Sequence, residues 1–119
     1  PNIKKSFNNI DKVLNAKKFV RCNIILKGPN TVIASNDKKI VINNHASPEL
    51  AVIGSGDVLS GLVASLVGHK KMNPFLACCA ATWLHGDIAK SYGKGLIAED
   101  IIKGIPSSLK RLKNGKFIK

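Results

Sequence analysis

Gly54-Ser55-Gly56-Asp57-Val58-Leu59-Ser60-Gly61 is the stretch on which the reading of this chain turns. It joins a loop to the start of an apolar helix, expected from about Asp57 to Val67. Val58, Leu59, Leu62, Val63 and Leu66 cover a wide face of that helix, so it should lie deep. Glycines at such a junction let the backbone approach a ligand without a Cβ clash. Unpaired amides at a helix N-terminus attract phosphate through their N–H groups and the macrodipole. An aspartate at that point is suited to take a proton from a hydroxyl nucleophile. Together these are parts for phosphoryl transfer: amides that stabilise an anion, beside a base. A plainer alternative stands beside it. Gly54 and Gly56 can be mere turn residues and Asp57 a helix-capping acid.

Upstream, residues 7–21 have the pattern of an amphipathic helix with Ile10, Val13, Leu14 and the stem of Lys17 on one face. Asn8 or Asn9 could cap it. Asn23-Ile24-Ile25-Leu26 is a short apolar run, as expected of a buried parallel strand, and ends at Lys27-Gly28-Pro29-Asn30. Thr31–Ala34 and Ile40–Asn43 are two further strands around a turn at Ser35–Lys38, so 31–43 is expected to be a hairpin. Residues 44–54 form an irregular loop containing Pro48.

Downstream, Gly68 is expected to close the long helix in a left-handed conformation. Asn73-Pro74 reads as an N-cap followed by a first-turn proline, opening a helix to about Tyr92. Gly93-Lys94-Gly95 breaks the chain. A short helix then opens at Glu99-Asp100, acids favoured there by the dipole, and Pro106 starts a last one ending near Leu112. This divides the chain into a body, 1–112, and a basic tail, 113–119.

At 119 residues the chain suits one domain or a piece of one. Hydrophobic residues make up 45% and the mean hydropathy is +0.05, enough for a packed core. Aromatics are only 5%, so that core rests on Ile, Leu, Val and Ala. No apolar run approaches the ~20 residues of a membrane span. The basic, polar start has no signal-peptide core. The formal charge of +12 invites a nucleic-acid reading. The lysines, however, are spread from Lys4 to Lys116 without aromatic interleaving, and arginine occurs only at Arg21 and Arg111. A solvated surface explains them better, with a positive field that favours anionic ligands such as nucleotides. Cys22, Cys78 and Cys79 have no metal or redox spacing, and buried small thiols in a reducing cytoplasm account for them. His45, His69 and His85 have no metal-ligand spacing either. His85, beside Trp83 in an apolar helix, reads as a satisfied packing histidine, and Trp83 as core. His45 precedes the glycine loop and could touch a phosphate, although a plain surface role outweighs this.

Taken with its flanks, the glycine stretch resembles a known family. Leu26-Lys27-Gly28-Pro29-Asn30-Thr31-Val32-Ile33-Ala34 resembles the L-K-G-x-x-T-V-I-A segment of NAD(P)H-hydrate dehydratases. Gly54–Gly61 resembles their G-[ST]-G-D-V-L-[AS]-G, and the order and gap between the two segments also fit. Leu84-His85-Gly86 and Gly95-Leu96-Ile97-Ala98-x-Asp100 are similar to weaker family segments, and the resemblance covers about residues 20–112. It implies an α/β fold, the C-terminal portion of a ribokinase-like three-layer α/β/α sandwich. It also implies a reaction in which hydrated NAD(P)H is phosphorylated by ADP or ATP, phosphate leaves and NAD(P)H is restored. Asp57 would then be the base and touch the substrate. Gly54, Ser55 and Gly56 would form the anion hole. Lys27, Gly28, Pro29, Asn30 and Thr31, with Gly56, would bind the nucleotide, and residues 47–56 would line the same site. Mg2+ is a candidate counter-ion, and no metal site of the protein's own is expected. The implied partners are small nucleotides, and a second copy or a missing N-terminal part of the fold. Neither nucleic acid nor a membrane is expected, and the implied compartment is the cytoplasm.

The chain departs from the family pattern where N-P-G-[ML]-A-[ST]-G-G is replaced by Ser47-Pro48-Glu49-Leu50-Ala51-Val52-Ile53-Gly54. Glu49 puts a carboxylate near expected phosphates, and Val52 removes a hydroxyl. The segment after Leu84-His85-Gly86 is also shortened, and Asn2 stands where the family has His. Two other functions fit the same parts: a ribokinase-like small-molecule kinase, and a non-catalytic nucleotide-binding remnant.

Overall fold

The structure is a computed structural model that describes residues 9–17, 22–28, 30–37 and 39–112. The expectations for Pro29, for residues 18–21 and for the tail at 113–119 lie outside those residues, as does the capping role of Asn8.

Strand β2 (Thr31–Ala34) decides the layering, because all four of its residues are buried. Side chains alternate faces along a strand, so both faces of β2 must be covered. Val32 and Ala34 pack with Val13 and Ile10 of helix α1 (Asn9–Lys17), together with Ile24, Leu26 and Ile40. Ile33 points the other way, onto Cys78 and Cys79 of helix α3 (Pro74–Tyr92), with Ile25, Val63 and Phe75 around it. The result is helix, sheet, helix. The sheet is β1 (Ile24–Leu26), β2 and β3 (Ile40–Asn43) in chain order. Leu14, expected on the inner face of α1, is 45% exposed instead.

Both strand pairs are antiparallel, with Ile25 opposite Ile33 and Ile33 opposite Val41. The hairpin at 31–43 is therefore present as expected, but the buried parallel strand expected at 23–26 is not. A parallel pair needs a crossover of a dozen or more residues. Only residues 27–30 connect β1 to β2, so β1 turns straight back and forms a half-buried edge.

Helix α2 (Ser55–Gly68) begins two residues earlier than its apolar pattern. It buries Leu59 and Leu62 against Ala81 of α3. Gly68 is simply its last residue. The left-handed turn falls later, on Lys71 at φ 57, so the expected glycine stop is corrected. Helix α3 behaves as expected at both ends. The Asn73 side chain accepts from the Phe75 and Leu76 amides at 2.9 and 3.3 Å, and Gly93 at φ 85 ends it. Every residue from Ala77 to Ala89 is buried, which makes α3 the central helix. Burial pushes the Cys78 thiol up, and burial with the neighbouring Cys78 pushes Cys79 to about 11, consistent with inert core thiols.

The two short helices expected after residue 98 are one continuous helix, α4 (Ala98–Arg111), with Pro106 inside it. A proline there forfeits one backbone hydrogen bond. Packing on both sides of it keeps the helix going: Ile101 and Ile105 meet Ile88, Ala89 and Leu96, and Ser108 is fully buried. Asp100 accepts from the Ile97 amide at 2.9 Å and secures the first turn, so the acid expected there does its job. No described helix is long and apolar enough to cross a membrane.

Candidate active site

The glycine stretch does form a helix N-terminus, but α2 does not lie deep as expected: only Ser55, Leu59 and Leu62 of it are buried. Gly54 holds φ 87, a conformation that costs a side-chain-bearing residue dearly, and no side chain caps α2. The first amides of a helix lack intrahelical partners. Val58's amide is taken by Gly54 O at 3.1 Å and Ser55's by Val52 O at 3.2 Å. Among the described residues the amides of Gly54, Gly56 and Asp57 have no hydrogen-bond acceptor. Ser55, expected in the anion hole, is itself buried, and its amide is already taken.

Lys27, at the end of β1, reaches over this N-terminus. Its Nζ lies 2.9 Å from where a Cβ on Gly56 would stand, so a side chain there would push the end of this flexible lysine aside. A cleft of about 580 Å³ opens here, lined by Lys27, Gly56, Asp57 and Ser60 among others. The exposed Asp57 carboxylate, the Lys27 charge and the positive end of α2 thus share one hollow.

A second cleft of about 630 Å³ lies alongside and shares Lys27 and Leu59 with the first. Gly28 and Thr31 form one part of its wall, and Ser47, Pro48, Leu50 and Ala51 another. Thr31 Oγ1 donates to Gly28 O at 3.3 Å and accepts from the Gly28 amide at 3.4 Å, which closes the 28–31 turn. Ser47 caps a single 3-10 turn, Pro48–Leu50, by accepting from the Glu49 amide at 3.2 Å. The two segments marked from sequence, 27–31 and 47–56, therefore meet at adjoining clefts. Asn30 is exposed and lines neither cleft, and Ile53 points outward at 99% exposure.

The cleft wall at 43–47 is clamped to α3 by residues that sequence reasoning did not connect. His45 stacks on Trp83 with ring centroids 4.8 Å apart. Its Nε2 donates to Asp87 Oδ1 at 2.8 Å, so His45 is spent on a carboxylate and lines neither cleft, rather than touching a phosphate. Asp87 Oδ2 accepts from Ser108 Oγ at 2.9 Å and Arg111 Nε at 2.6 Å. Burial raises the Asp87 pKa, but these three hydrogen bonds and the Arg111 charge outweigh it and hold the carboxyl below the usual range. Gly86 lets the wall come close, since a Cβ there would sit 1.7 Å from His45 O. His45 and Asp87 are 42 positions apart. The one local signal was an acid directly after Leu84-His85-Gly86 in an otherwise apolar helix.

His85 is buried, as expected of a packing histidine, and holds the start of α2 in place. Its Nε2 lies 2.9 Å from Ser55 O and 3.1 Å from Ser55 Oγ.

This geometry can be set against known proteins. A family model described as NAD(P)H-hydrate dehydratase matches residues 3–106. The chain belongs to that family. Among curated relatives, it is 40% identical over 84 residues to the ADP-dependent (S)-NAD(P)H-hydrate dehydratase of Neisseria meningitidis serogroup B, covering 66% of this chain and 28% of that protein. It is 36% identical over 94 residues to the bifunctional NAD(P)H-hydrate repair enzyme Nnr of Moorella thermoacetica, covering 75% of this chain and 18% of that one. The Escherichia coli enzyme of the same description is 35% identical over 95 residues, with 76% and 18% covered. The chain thus spans less than a third of the length of these relatives. No solved structure matches it. The helix–sheet–helix layering is that of an α/β protein, in keeping with the ribokinase-like NAD(P)H-hydrate dehydratase family.

Proposed function

We propose that this chain supplies the phosphoryl-transfer half of an ADP- or ATP-dependent NAD(P)H-hydrate dehydratase, an enzyme of metabolite repair. The observation that carries this reading is the meeting of Lys27, the open amides of Gly56 and Asp57, and the Asp57 carboxylate in one cleft. It is supported by the names of the relatives, ADP-dependent (S)-NAD(P)H-hydrate dehydratase among them. In this reading residues 1–112 are the C-terminal portion of a ribokinase-like nucleotide-binding domain and 113–119 a basic tail.

The nucleotide lies across the two adjoining clefts, with its phosphates toward Lys27 and the start of α2. Asp57 takes the proton of the ring hydroxyl as that oxygen attacks the terminal phosphorus, and the shortened nucleotide leaves. Lys27 and the amides stabilise charge on the transferred group. The C–O bond of the ester then breaks with release of inorganic phosphate, and loss of a proton from the neighbouring ring carbon restores the ring double bond. Residues Lys27 to Thr31 hold the nucleotide, with Gly54 and Ser55 fixing the turn that presents the amides. Mg2+ would enter with the nucleotide phosphates. Among the described residues the outer edges of β1 and β3 are unpaired, which suits pairing with further strands, from the remainder of the fold or from a second copy. The buried thiols of Cys78 and Cys79 fit the cytoplasm.

The test is to give the complete protein NADPH hydrate with ADP or ATP and to follow NADPH absorbance and phosphate release. Recovery of absorbance with release of inorganic phosphate supports the reading. A stable phosphate ester without NADPH recovery would instead show a small-molecule kinase. Nucleotide binding without turnover of any substrate would show a binding remnant.

A further inference from the structure

His85 sits in the floor of the larger cleft at 3% exposure. A carbonyl oxygen can only accept, so the 2.9 Å contact with Ser55 O requires that Nε2 carry a hydrogen. Burial holds this imidazole below its ordinary pKa, with the Lys27 charge adding to the effect and the Ser55 carbonyl opposing it. The ring is thus neutral near pH 7, and its proton is on Nε2. Nδ1 is left as a bare lone pair, and among the described residues it meets no hydrogen-bond donor. No buried side-chain nitrogen or oxygen among the described residues lacks a partner, so an unpartnered Nδ1 is an accessible one, where a ligand N–H can take the place of water.

Thr82 stands beside it. Residues three apart on a helix share a face, and Thr82 lines the same cleft. Its hydroxyl hydrogen is spent on Cys78 O at 2.7 Å, so toward the cleft it too can only accept. The floor therefore presents two acceptors side by side, between apolar walls that include Pro48, Leu50, Ala51 and Leu59.

We propose that His85 and Thr82 form an acceptor pair that selects a planar ligand carrying an amino group, whose two N–H bonds they receive. The inference rests on the nucleotide reading above and deepens it: the selected group is the exocyclic amine of an adenine-type base. A ring bearing a carbonyl at that position would set oxygen against two acceptors and bind less well.

The test uses the full chain labelled with 15N at histidine, titrated with ADP and with inosine diphosphate. In the free protein the His85 ring should be neutral with hydrogen on Nε2. ADP should shift the Nδ1 resonance toward the hydrogen-bonded position while Nε2 stays protonated. Inosine diphosphate should bind roughly tenfold more weakly, the scale of one hydrogen bond lost, and leave Nδ1 unshifted. In His85→Phe, confirmed as folded by its amide spectrum, the preference for ADP over inosine diphosphate should shrink severalfold. Hydrogen on Nδ1 in the free protein overturns the proposal outright. ADP binding with Nδ1 unmoved, or equal affinity for the two nucleotides, overturns it while the nucleotide reading stands. Failure of ADP to bind at all removes the nucleotide reading and the proposal with it.

Discussion

Replacing Gly86 by alanine should unfasten the wall of the larger cleft. The added Cβ would lie 1.7 Å from His45 O, 2.8 Å from its carbonyl carbon and 3.0 Å from Ala46 Cα. These are backbone atoms and cannot rotate away, so residues 45–46 must retreat from α3 by more than about 1 Å to reach an ordinary contact. Such a shift carries the 2.8 Å His45–Asp87 hydrogen bond beyond useful length. Losing a hydrogen bond to a buried carboxylate costs about 1.5–3 kcal/mol. Loss of the ring contact with Trp83 adds about 0.5–1.5 kcal/mol. Alanine returns about 1 kcal/mol through its better helix propensity. The net loss is about 1–3.5 kcal/mol, which lowers the melting temperature of a domain this size by roughly 5–20 °C. The control is Gly61→Ala on α2, where no atom lies within 4 Å of the new Cβ. That change should stabilise by about 0.5–1 kcal/mol. Thermal unfolding of the two variants by circular dichroism checks both. A Gly86→Ala protein that melts within two or so degrees of the wild type would refute the clamped wall.

Three further outcomes follow from the same contacts. Asn73→Ala removes the acceptor for two amides at the start of α3 and should cost about 1 kcal/mol in chemical denaturation, as lost N-caps do. The Asp87 carboxyl is held below its unfolded value, so its stabilisation is complete above about pH 4 and is lost as pH falls through the lower folded pKa. Stability measured from pH 6 down to pH 2 should fall less steeply in Asp87→Asn than in the wild type, from a lower starting point. Lys27→Met should lower ADP affinity by roughly tenfold or more in calorimetry and flatten its salt dependence, because the ammonium over Gly56 is removed.

Much of this molecule could be read locally. The Asn73-Pro74 cap, the Gly93 break and the 31–43 hairpin each depend on a few adjacent residues with fixed stereochemical preferences, and all three stand as read. That segments 27–31 and 47–56 meet at adjoining clefts was legible because glycine and lysine at a strand end and a helix start stand out locally. What failed needed contacts between distant positions. Pro106 looked like a helix start because local rules place proline there, and the packing of Ile101, Ile105 and Ser108 overrode them. The expected parallel strand rested on a continuous apolar run, while the short 27–30 connection already demanded an antiparallel return. The His45–Asp87–Arg111 clamp joins three segments, and no spacing rule links them. His85 was recognised as a packed residue, but its hold on Ser55 emerges only when α2 and α3 are laid together.

Asp57→Asn, assayed in the complete protein, tests the central claim most directly. The change keeps the size of the side chain and removes the proton acceptor. NADPH recovered from its hydrate with ADP should fall by at least the ~10²–10⁴-fold of a lost general base. ADP affinity measured on the same preparation should hold or rise, since a negative charge beside the phosphates is gone. The melting temperature should stay close to that of the wild type, because the exposed Asp57 side chain caps nothing in α2. Near wild-type recovery of NADPH by a folded Asp57→Asn protein would contradict the account and leave Asp57 a surface residue at a helix start.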